Sequence, residues 1–70
     1  MRTREHLIQA GISNLKKFGY PDVSADNILT DYVFASMFHS MLVDNKGHGR
    51  AQDEVINALL AEIEEKKRAP

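Results

Sequence analysis

Apolar residues recur along this chain at three- and four-residue intervals, in three blocks separated by polar breaks. Wound at 100° per residue, Leu7, Ile8, Gly11, Ile12, Leu15 and Phe18 fall within an arc of about 140° and predict an amphipathic helix over about 4–18. Val55, Ile56, Leu59, Leu60 and Ile63 form a stripe of about the same width in a helix over about 50–67. The middle block differs. Val33, Phe34, Ala35, Met37, Phe38, Met41 and Leu42 spread over roughly 200°, leaving Ser36, His39 and Ser40 on the remaining side. An ordinary surface helix carries an apolar stripe only about 100° wide. The helix over about 31–44 is therefore either the central member of a small bundle or a helix that also meets a second chain. Phe34, Met37, Phe38, Met41 and Leu42 are its candidate interface residues.

The breaks carry their own signals. Thr3 is placed to cap the first helix, and Gly19 followed by Pro21 is placed to stop it. Gly11 sits in the middle of the first apolar face, where it costs about 1 kcal/mol of helix propensity relative to alanine. Close approach of another helix is the expected reason. Ser24-Ala25-Asp26-Asn27 starts a short helical connector near 25–29, in which Val23, Ile28 and Leu29 can cover one end of the core. Thr30 is expected to cap the middle helix, with Asp31 in its first turn. Asn45-Lys46-Gly47-His48-Gly49 ends that helix, since its glycines take up positive φ at little cost. The reading is one all-α domain over 1–70 with three main helices.

Seventy residues limit how much that domain can bury. A single core of this size rarely supplies more than about 3–5 kcal/mol, and the usual supplements are disulfides, metal, oligomerisation or very good helix packing. Cysteine is absent, which removes disulfides and thiolate zinc sites. Packing or oligomerisation is left. Nine basic against ten acidic residues give a net charge of −1, so no global field draws the chain to nucleic acid or anionic lipid. The polar N-terminus and the short apolar runs predict a soluble cytoplasmic protein with no membrane span.

The candidate chemistry is sparse. His6, His39 and His48 are the only histidines, and they lack the i,i+4 pairing with an acidic residue that a helical zinc motif needs. Asp44-Asn45-Lys46-Gly47 opens like a calcium loop but places Lys46 where a ligand is required. Gly47-His48-Gly49-Arg50 leads into a helix N-terminus, so Lys46 and Arg50 are candidate anion contacts without the spacing of a phosphate loop. Arg2, Arg4, Lys16 and Lys17 on the first helix are further candidate anion or nucleic-acid contacts. Ser36 and Ser40 beside His39 have neither a base orienter nor an oxyanion hole on the same helix face. No catalytic residue, metal or cofactor is expected.

Two resemblances add to this reading. Thr3-Arg4-Glu5, Leu7-Ile8, Ala10, Phe18-Gly19-Tyr20 and Val23-Ser24-x-x-x-Ile28 resemble the opening of TetR-type repressors. The pattern departs after Ile28. There Leu29-Thr30-Asp31 leads directly into the apolar middle helix, a poor reader of a major groove, so no recognition helix is implied. Asn27-Ile28-Leu29-Thr30-Asp31, Phe38-His39-Ser40-Met41-Leu42, Asp44-Asn45-Lys46-Gly47 and Asp53-Glu54-Val55-Ile56 together look like small phage or prophage-encoded helical proteins without an assigned activity. That resemblance implies a phage accessory protein and transfers no site residues. The expected function is protein–protein contact, as a homodimer, adaptor or inhibitor. DNA or RNA binding through the basic residues is the alternative.

Overall fold

A computed structural model of the chain describes residues 3–68. Three helices follow in order: α1 (Arg4–Lys17), α2 (Tyr32–Asp44) and α3 (Arg50–Arg68). The described residues contain no strand. Each helix packs on both of the others, so every helix has two neighbours and one side turned to solvent. The narrow stripes of α1 and α3 meet the inner side of α2 around a core that includes Leu15, Phe38, Leu42, Ile56, Leu59 and Ile63, all essentially without solvent contact. No polar or charged side chain is buried among the described residues.

Local chemistry accounts for the boundaries. The Thr3 hydroxyl accepts the His6 amide at 3.3 Å, as its place before the first turn implies. At the other end of α1 the Gly19 amide donates to the Lys16 carbonyl and the Tyr20 amide to the Leu15 carbonyl, both at 3.1 Å. With Gly19 at φ 101°, these are the paired bonds of a Schellman stop. That turn corrects the expected apolar stripe. Phe18 lies on the solvent side of it and is 69% exposed, whereas Tyr20, two residues on, folds back against the core.

The connector runs as consecutive hydrogen-bonded turns over 25–30, not as a continuous helix. The amides of Ile28 and Asp31 reach back four residues, to Ser24 and Asn27 respectively. The Asn27 side chain ties the segment together, accepting from the Ser24 amide at 2.8 Å and donating to the Asp22 carbonyl at 2.9 Å. Val23, Ile28 and Leu29 are thereby buried over one end of the core, as their apolar character predicts. Asp31, not Thr30, caps α2. Its carboxylate accepts the amides of Val33 at 2.9 Å and Phe34 at 3.1 Å, while the Thr30 hydroxyl is turned to the Asp26 carbonyl. An ionised carboxylate at the positive end of the helix outcompetes a hydroxyl.

Candidate functional site: the two faces of α2

The inner face of α2 is set by Ala35, Phe38 and Leu42, which fall within about 60° of one another and are 1–2% exposed. Phe38 and Leu42 are therefore core residues of the single chain, which corrects their expected place at an interface. Packing against both neighbours decides the matter: once α1 and α3 touch each other, the centre of the arc has no route to solvent. Phe34, Met37 and Met41 flank that centre and are partly buried against it. Phe34 meets Tyr20 edge to face, with ring centroids 5.9 Å apart, a geometry aromatic quadrupoles favour.

The outer face is the unexpected one. Val33 and Val43 are 49% and 47% exposed, and Tyr32 is 75% exposed. Val43, Ser36, Ser40 and Val33 lie within an arc of about 80°, turned away from the core trio. From Tyr32 to Val43 the helix carries no Lys, Arg, Asp or Glu. The outer sides of α1 and α3 differ, exposing for example Glu5, Lys16 and Lys17 on one and Glu54 and Glu65 on the other. The signal for this face was present in the sequence as the 3-4-3 spacing of Val33, Ser36, Ser40 and Val43. The two serines hid it by marking that side as polar.

Charges frame this face on its α3 side. The Lys67 ammonium lies 5.8 Å from the centre of the Tyr32 ring, within range of the cation–π attraction. His39 Nε2 lies 3.4 Å from Glu64 Oε1. Towards α1, a groove of about 260 Å³ is edged by Gly11, Asn14, Met41 and Asn45. It falls short of the roughly 300–1,000 Å³ of a small-molecule pocket. Its polar rim is also occupied, since the Asn45 side-chain amide donates to the Met41 carbonyl at 2.7 Å.

The basic candidates do not converge. Arg2 lies outside the described residues. Arg4 is held by Glu62 on α3 through two bonds, Nε to Oε2 at 3.1 Å and Nη2 to Oε1 at 2.9 Å. Arg50 faces Glu54 at 3.9 Å. Lys16 and Lys17 are exposed at the end of α1, and Lys46 is exposed in the loop before α3. That loop closes on itself: the Gly47 amide donates to Asp53 Oδ1 at 3.0 Å and the Gln52 side chain donates to the Asn45 carbonyl at 3.2 Å. The Asp53 carboxylate, in the first turn of α3, already places a negative charge where an anion at the start of that helix would sit. Among the described residues no group of three His, Cys, Asp or Glu side chains is placed to hold a metal ion. No described helix is long and apolar enough to cross a membrane.

The Arg4–Glu62 pair makes one pH prediction. The bond from Arg4 holds the Glu62 carboxyl below its ordinary value, and the same bond raises the Arg4 guanidinium. A depressed carboxyl stabilises the fold above its unfolded value and loses that contribution as pH falls through the folded one. Because both side chains are partly exposed, the pair contributes at most about 1 kcal/mol. Glu62→Gln is expected to lower the melting temperature by up to about 4–8 °C at neutral pH. The gap should close as pH drops below about 4. A gap that persists in acid would assign the effect to something other than the ion pair.

Comparison with family models, with curated proteins and with solved structures finds no match for the chain.

Proposed function

We propose that this chain is a non-enzymatic interaction module that meets a protein partner through the outer face of α2, in the manner of a small adaptor, inhibitor or phage accessory protein. The observation that carries this reading is the partly apolar surface of α2 from Val33 to Val43, free of Lys, Arg, Asp and Glu and with Asp44 only at its edge, presented between two helices whose outer sides are charged. Interface centres are depleted of charge and enriched in residues such as Tyr and Met, and Tyr32 and Met37 flank the exposed valines. Nucleic-acid contact is the weaker reading, since Arg4 and Arg50 already face carboxylates and counterion release requires free, clustered cations.

A photo-reactive phenylalanine analogue placed at Val33, in cells producing the chain, tests the face directly. Covalent adducts to protein are expected from Val33 and not from the same analogue at Ala58, an exposed position on α3. Equal labelling from the two sites, or none from Val33, would overturn the assignment of α2.

A further inference from the structure

The structure leads us to infer that the partner of this face is a second copy of the chain, with the two α2 helices paired antiparallel about a two-fold axis level with Phe38. This inference rests on the assignment of α2 as the interaction face and adds the occupant and the register. Val33, Ser36, Ser40 and Val43 are spaced 3-4-3, the a/d spacing with which two helices pack along a seam. The same four residues are arranged symmetrically about position 38: the valines five residues to either side, the serines two. In an antiparallel pair centred there, Val33 lies level with Val43 of the second copy, and Ser36 lies level with its Ser40. The face complements itself, as an isologous two-fold contact requires.

The chemistry of each layer suits burial. The outer layers match valine with valine. In the central layers the small serines let the two backbones approach closely. Ser40 enters without an orphan donor, because its hydroxyl already donates to the Ser36 carbonyl of its own helix at 3.3 Å. No charged side chain enters the seam. Orientation follows from electrostatics. Parallel helices would align their macrodipoles and set the two Asp44 carboxylates, exposed at the edge of this face, at the same end of the seam. Antiparallel helices oppose the dipoles and place those carboxylates about 18 Å apart. Four side chains from each copy, Val33, Ser36, Ser40 and Val43, bury less than the roughly 1,200 Å² of a standard interface, so the pair is a weak one to be sought at high micromolar concentration.

The absence of cysteine allows a clean test by disulfide trapping. Val33→Cys and Val43→Cys proteins are prepared separately and oxidised gently, alone and mixed, at high micromolar concentration. The mixture is expected to form the 33–43 heterodisulfide at least about tenfold faster than Val33→Cys cross-links to itself, because the two copies of position 33 lie about 15 Å apart along the seam, beyond the reach of a disulfide. Self-linking of Val33→Cys as fast as the mixture would overturn the register. A wild-type chain that sediments as a monomer at the same concentration would overturn the second copy itself. In that event, photo-adducts from Val33 to a different protein would leave the interaction face standing, whereas no adducts of any kind would remove both.

Discussion

Phe38→Ala is expected to leave most of the chain unfolded at room temperature. The ring is 1% exposed and sits where α2 meets the glycine of α1, with Ile28 of the connector beside it. Truncating a buried phenylalanine costs about 3–5 kcal/mol, through lost transfer energy and the cavity left behind. Domains are stable by about 0.05–0.15 kcal/mol per residue, which for this length is on the order of 3–10 kcal/mol, and a single small core tends to the lower end. One residue therefore accounts for much or all of the margin. Far-ultraviolet circular dichroism with urea titration reads the result: little helix, or a transition shifted almost to zero denaturant. Phe34→Ala, four residues earlier on the flank of the same helix, keeps its neighbours packed and should retain a cooperative transition. If Phe38→Ala kept the wild-type midpoint, the inner face of α2 would have been wrongly placed.

That contrast also explains which parts of the fold could be read from the residues alone. Narrow stripes define a phase. In α1 and α3 the apolar residues occupy one side, so Leu7, Ile8, Ile12 and Leu15, and likewise Ile56, Leu59 and Ile63, can face only one way, and they are buried. An arc of roughly 200° defines no phase, because rotating the helix by several tens of degrees exchanges one apolar residue for another at little cost in transfer energy. The phase of α2 is set by its neighbours, which are tertiary facts. Phe38 and Leu42 turn inward, Val33 and Val43 turn outward, and nothing in the residue types distinguishes the two pairs. Phe18 and Tyr20 pose the same problem at a helix end. Both are aromatic, and the Schellman turn between them decides which reaches the core. Capping was legible only to within a residue, since Thr30 and Asp31 are both good caps, and it is the Asp31 carboxylate that takes the first amides of α2 while the Thr30 hydroxyl turns to the Asp26 carbonyl.

Gly11→Ala is expected to destabilise the chain, against the ordinary propensity of a helix interior. Replacing glycine by alanine there gains up to about 1 kcal/mol in a helix free of other contacts. Here a Cβ on Gly11 would lie 2.5 Å from Phe38 Cε1, 2.6 Å from Phe38 Cδ1 and 3.1 Å from Ile28 Cδ1. The first two are atoms of a rigid, fully buried ring, so relief requires the ring or the helix to shift. Overpacking of this kind costs about 1–3 kcal/mol. Set against the propensity gain, the clash leaves a net loss of up to about 2 kcal/mol. The groove beside Gly11 and Phe38 gives the ring some room to move, which keeps the loss below the largest overpacking values. A second substitution isolates the cause. In a Phe38→Leu background the shorter side chain withdraws from the glycine, so Gly11→Ala should become neutral or stabilising. Denaturant midpoints for the four chains of this cycle give the coupling directly. If Gly11→Ala destabilised the Phe38→Leu chain as much as the wild type, the loss would lie in the backbone of α1. The close approach of α1 and α2 would then not be the reason for the glycine.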